Sequence, residues 1–204
     1  MNKPSKKLIL AVAIGFIAGV IWLAAIRFFN YKSDSVHYHA NFALYINGQQ
    51  DMFDNFTFYE EVQSCDSDQI NNPRTRLHLH DSNPGIVHVH DNGVTWGQFF
   101  ANLGYTLGDN LVKTDKGVFI NDTGGSYLRF ILNGQEVEGV ANATIRSEDV
   151  LLINYGNEDV AALEQRYAGI TKDAADYNKR NDPSACSGTD QATFSERLKQ
   201  SFGF

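Results

Sequence analysis

The chain has 204 residues, enough for one compact domain with its own core plus a small appendage, and too few for two large domains. Its composition is 43% hydrophobic and 20% charged, with 17 Gly against 4 Pro and no low-complexity tract, which excludes a disordered polymer. Five of the 17 basic residues (Lys3, Lys6, Lys7, Arg27, Lys32) and none of the 24 acidic ones fall in residues 1–32, so the remainder carries 12 basic against 24 acidic side chains, a net charge of −12. Such a surface repels phosphate backbones and attracts cations, and no nucleic-acid partner is expected.

The first element is LILAVAIGFIAGVIWLAAI, Leu8 to Ile26, which holds no charged side chain. As a helix its 19 residues would span about 28 Å, close to the hydrocarbon thickness of a bilayer. A cleaved signal peptide is the main competing reading, but its apolar core usually runs about 7–15 residues, and no small-x-small cleavage site follows. A buried core helix is a poor reading for a chain of this size, because the segment is apolar on every face. Three lysines and the terminal amine precede the span and two basic residues follow it, which favours an inside N-terminus. The expected location is therefore the cell membrane, single-pass, with residues 33 onward extracytoplasmic. There thiols tend to pair, so Cys65 and Cys186 are read as a structural disulfide, with two unpaired thiols as the alternative.

Next, HYHANFALYI alternates in polarity and meets Asn47-Gly48 before QQDMF, a strong hairpin signal that SYLRFILNGQEVEG repeats at Asn133-Gly134. Between them, TRLHLH and GIVHVH flank the turn formers Asp81-Ser82-Asn83-Pro84 and predict a third hairpin. Thr95 is placed to cap WGQFFANLGY, whose Trp96, Phe99, Phe100 and Leu103 recur at helical spacing up to Gly104; this aromatic stripe reads as core packing. KGVFI and DVLLINYG predict strands, the second short and buried. In the tail, Asn157-Glu158-Asp159 can cap VAALEQRYAGI, and TFSERLKQSFGF can form a last amphipathic turn or two whose Phe194, Leu198 and Phe202 are expected to pack on the main domain.

The predicted class is α+β: residues 1–32 a basic stub and transmembrane helix, 33–156 a β-rich His-x-His domain of β-grasp-like architecture with an added hairpin, and 157–204 a helical tail. Residues 94–156, with VTWGQFF, ILNGQEV and SEDVLLINYG, resemble the ubiquitin-like β-grasp modules of bacterial surface proteins. HYHANFALYINGQ with LHLHD, VHVHDNGVTWGQFF and LLINYGNED resembles a family of membrane-anchored bacterial proteins over most of residues 37–188. The second resemblance implies topology and brings no activity with it.

All six histidines lie in His-x-His pairs: His37 with His39, His78 with His80, His88 with His90. In a strand, residues i and i+2 share a face about 6–7 Å apart, so two imidazoles can converge on one ion. A hairpin centred on Pro84 sets His80 across from His88 and His78 across from His90, with His37 and His39 supplying further ligands from a neighbouring strand. So many imidazoles repel one another when protonated and are better tolerated neutral around a cation. Six exceed the usual coordination of one ion, which implies two neighbouring sites or one site with outer histidines. Asp81 and Asp91 follow two of the pairs and are candidate ligands, or partners that hydrogen-bond to ligating rings. Imidazole suits Zn or Cu(II); a Cu(I) carrier would offer thiolate or thioether, and beyond Met1 the chain has only Met52.

These features predict an extracytoplasmic, membrane-anchored transition-metal-binding protein for storage, sensing or delivery, with an envelope protein as a candidate partner. One alternative is a zinc-dependent hydrolase or hydratase, for which Glu60, Glu61 or Asp81 could serve as base, although no His-Glu-x-x-His spacing singles one out. Others are an envelope interaction module with a structural metal, a proton-sensing cluster, and histidines that merely pack.

Overall fold

A computed structural model describes residues 5–31, 36–59, 73–79, 82–180 and 194–203. Contacts divide the chain into two units, residues 35–187 and a second formed by 1–34 with 188–204. In the second unit, α1 (Lys6–Asn30) is one apolar helix, exposed along its length and long enough to cross a membrane. Ser5 caps it, its hydroxyl accepting from Leu8 N at 3.3 Å.

The sheet-rich unit starts with β1 (Tyr38–Ile46), which turns through Asn47 and Gly48 into β2 (Gln49–Gln50). A single helical turn, α2 (Pro73–Arg76), leads into β3 (Leu77–His78), and β4 (Ile86–Val89) returns beside it. After α3 (Trp96–Asn102) come β5 (Thr106–Leu107), β6 (Leu111–Thr114) and β7 (Gly117–Ile120), which form their own small sheet. Then β8 (Tyr127–Leu132) and β9 (Gln135–Val137) form a hairpin, β10 (Val150–Gly156) enters the main sheet, and α4 (Val160–Ala168) and α5 (Ala174–Tyr177) follow. Both Asn-Gly turns have the left-handed pair of residues that a two-residue hairpin needs: φ is 48° and 87° at Asn47 and Gly48, and 52° and 81° at Asn133 and Gly134.

The main sheet runs β3-β4-β1-β10-β8-β9, with β2 beside β1. At its centre β1 and β10 are parallel, in register from Asn41↔Val150 to Ile46↔Tyr155, and β4 and β8 flank them antiparallel. Alternation gives each strand two faces. On one, Ala40, Phe42, Leu44, Val87, Val89 and Leu151 are buried beneath α3. The Phe42 ring meets Phe99 at 5.0 Å, Phe100 at 5.8 Å and Trp96 at 6.3 Å; burying each such aromatic stabilises the fold by about 2–3 kcal/mol. Thr95 and Gln98 form a reciprocal capping box on α3. A Cβ on Gly97 would stand 2.7 Å from the Ala141 carbonyl oxygen, so glycine is required there.

On the opposite face, Ala43, Val150 and Leu152 pack with Leu163 of α4 and with Ile170. Farther along that face lie His39, Asn41, His78 and His88, all buried. Asn41 pins α5 over them: its Nδ2 donates to Asp173 Oδ1 at 2.8 Å and its Oδ1 accepts from Ala174 N at 3.0 Å.

Three expectations change. The strand predicted over TRLHLH is helical through Arg76 and extended only at Leu77 and His78. Proline fits a first helical turn, where its missing N–H would be unbonded anyway, and Asn102 Nδ2 fixes the turn by donating to Pro73 O and Leu77 O, both at 2.9 Å. The tail divides, since α4 and α5 belong to the sheet unit while α6 (Phe194–Phe202) belongs to the unit of α1. Phe194, Leu198 and Phe202, expected to pack on the main domain, are exposed by 70%, 44% and 57%. Cys65 and Cys186, read as a disulfide, lie outside the described residues.

Candidate metal centre

Strand parity brings the histidines together. In β1, core side chains occupy Ala40, Phe42 and Leu44, so His39 projects to the other face; Val87 and Val89 do the same for His88, and Leu77 and Leu79 for His78. In the cross-strand register His88 faces His39 on one side and His78 on the other, giving a row of imidazoles over three strands. The rings of His39 and His88 are 4.2 Å apart, those of His37 and His39 4.8 Å. His90 stacks on His37 at 5.0 Å and on His78 at 5.2 Å. Of these, His37, His39 and His88 each offer a nitrogen, and the three nitrogens lie within 4.8 Å of one another. This buried histidine triad could hold a metal ion.

The hairpin register differs from expectation. His78 pairs with His88, where the sequence predicted His78 with His90 and His80 with His88. The hairpin is centred on Asn83 instead of Pro84, a displacement of two residues in the pairing. A slip of two keeps every side chain on its face, whereas a slip of one would have turned all the imidazoles into the core. His80 and Asp81 lie outside the described residues, as do Glu60 and Glu61.

Hydrogen bonds set the ring tautomers. Asn178 Oδ1 accepts from the His39 backbone N–H at 2.8 Å and faces His39 Nδ1 at 2.8 Å. A backbone N–H can only donate, so the Asn178 atom is the oxygen, and His39 Nδ1 must carry its proton to bond there. The lone pair of His39 is thereby left on Nε2, directed at His88 Nδ1 3.1 Å away. His78 Nδ1 likewise faces the Arg74 carbonyl at 2.8 Å and donates to it, so Nδ1 carries the proton and the lone pair is on Nε2. The Nε2 atoms of His37, His78, His88 and His90 are all shielded from solvent.

The donor set fits a transition metal. Two nitrogens bound at about 2.0–2.1 Å around a tetrahedral ion stand about 3.3 Å apart, and His39 Nε2 and His88 Nδ1 are separated by 3.1 Å. That spacing serves equally for a hydrogen bond from His88 Nδ1–H. Imidazoles turned to one point from two strands, with His39 oriented through its other nitrogen by Asn178, are a donor set that could hold a metal ion.

The remaining residues have separate roles. Asp91 Oδ2 accepts from Arg76 Nε at 2.6 Å in a half-exposed pair. Tyr38 points to the core side, where burial first, then the charges of Asp149 and Asp91, push its phenol up; it keeps its proton and donates to Ile145 O at 2.8 Å. Asn178 and Tyr177 were not anticipated. The Tyr177 ring lies 5.6 Å from the His39 ring and meets His88 edge-on at 6.2 Å, and Arg180 stacks on Tyr177 at 4.0 Å. No local pattern in DAADYNKR marks these two residues; they reach the site only because Asn41 docks α5. The chain matches no protein-family model, no curated protein and no solved structure.

Proposed function

We propose that the chain is a membrane-anchored, extracytoplasmic protein that binds Zn or Cu(II) through its His-x-His pairs, for metal storage, sensing or delivery. The observation that carries this reading is the convergence of His37, His39 and His88 within 4.8 Å. Neutral imidazole without thiolate is a donor set suited to Zn and Cu(II). The acidic remainder of the chain enriches cations near the site. The basic residues before α1 support an inside N-terminus, and an outside domain is compatible with a bond between Cys65 and Cys186. The sheet unit is read as a β-grasp domain: the order β4-β1-β10-β8-β9, with β1 and β10 parallel at the centre and α3 between the two hairpins, supports it.

The test is metal analysis of the full chain, purified in detergent without chelator or an affinity histidine tag, beside His39→Ala and His88→Ala. About one equivalent of metal is expected in the parent and a loss of most of it in each variant. Equal, near-zero metal in all three would sink the proposal. In the parent, metal at 100 times its Kd should raise stability by about 2.7 kcal/mol, and chelation should reverse this.

A further inference from the structure

The smaller unit leaves a feature that metal binding does not use. α6 has Phe194, Leu198 and Phe202 at i, i+4 and i+8, one stripe along the helix, all exposed. Ser201 is buried, and Arg197 Nη1 donates to Phe28 O at 3.1 Å. The Phe194 ring meets Phe28 edge-on at 5.4 Å. α6 is thus held on α1 while much of the surface of its apolar stripe stays uncovered by protein. A groove of about 570 Å³ runs between them, lined by Gly15, Gly19, Leu23 and Arg27 of α1 and by Ser201 and Phe202 of α6. From Gly15 to Arg27 is about 18 Å of helix axis, so the end of α6 reaches alongside the middle of α1.

We propose that α6 is a second membrane element, an amphipathic helix that returns to the bilayer and buries Phe194, Leu198 and Phe202 among lipid acyl chains beside α1. This rests on reading α1 as the bilayer-spanning anchor. The occupant follows from continuity: α1 exposes Phe16, Val20 and Leu23 by 73%, 46% and 57%, and the α6 stripe extends that same surface. Whatever solvates the C-terminal half of α1 also solvates a helix packed against it. In water, three large side chains in one stripe would be left largely without burial; among acyl chains they are buried, while the flexible stem of Lys199 lets its ammonium reach towards the headgroups. Each end of the chain then holds the membrane.

The experiment reconstitutes the full chain in phosphatidylcholine vesicles with an apolar, carbene-generating probe, then maps the labelled peptides by mass spectrometry. Label is expected on α1 and on residues 194–202, and a Leu198→Asp, Phe202→Asp double variant should lose it from 194–202 while keeping it on α1. Label on α1, with 194–202 no higher than the β8–β9 segment 127–137, overturns this inference and leaves the anchor standing. Label on neither helix overturns both.

Discussion

The sheet face turned away from α3 is closed in two different ways along its width. Over β10 and its neighbours it is closed by apolar contact, with Ala43, Val150 and Leu152 against Leu163 and Ile170. Over β3, β4 and the start of β1 it is closed by imidazoles under α5, held by Asn41, Asp173 and Asn178. The first half gains stability simply by excluding water. In the second, every buried nitrogen needs a proton, a partner or an ion, so polar geometry sets its energy. One sheet face can therefore carry an apolar, stabilising half and a polar half, and substitutions should separate them.

The largest effect on stability belongs to the apolar half. Leu152→Ala, at a fully buried position, should destabilise the domain by about 2–5 kcal/mol in chemical denaturation while leaving metal stoichiometry intact; loss of metal at unchanged stability would contradict the division. Next comes the imidazole half. Asn178→Ala removes the acceptor that orients His39 and should weaken metal affinity by about 10–100-fold. Asn178→Asp keeps the acceptor and should retain affinity, a rescue that a purely structural role would not produce.

A smaller effect tests the rim of the apolar half. Burial alone would raise the pKa of Glu158, but hydrogen bonds from Asn154 and Arg166 bring it below the ordinary 4.5, and Arg166 Nη2 stands 2.8 Å from the carboxylate. A depressed folded pKa means stability that is present above the unfolded value and lost as pH falls through the folded one. Glu158→Gln should flatten the stability curve below about pH 4.3 and cost about 1 kcal/mol at neutral pH. An unchanged acid limb would remove Glu158 from the account. Smallest is the half-exposed Arg76–Asp91 pair, where Arg76→Ala should cost about 0.5 kcal/mol by denaturant titration.

Much of this division was legible in the amino-acid order. His-x-His alternating with Val and Leu sets the imidazoles opposite the core whatever the exact pairing, and Asn-Gly fixed both tight hairpins through left-handed backbone. Thr95 before a helical aromatic stripe marked α3. The hairpin register was displaced because turn formers spread over four positions, Asp81 to Pro84, do not specify a centre. The small β5–β6–β7 sheet was missed in part because Thr106–Leu107 and Leu111–Thr114 are too short for a periodicity to register. The Asn178 clamp had no local signal at all, since it reaches His39 across 139 positions of chain.

That separation bears on when the site comes into being. β1 can pair early with β4, but its other edge waits for β10, and the acceptor for His39 arrives later still. Pairing of such distant segments is the slow part of folding, because loop closure precedes any gain from contact. As the polypeptide is synthesised residue by residue, its first histidine pair is made long before its last orienting group. On the proposed metal-binding reading, capture of an ion comes at the end of folding: in refolding, sheet formation around β8–β10 should precede metal uptake, and uptake that runs ahead of it would refute this timing.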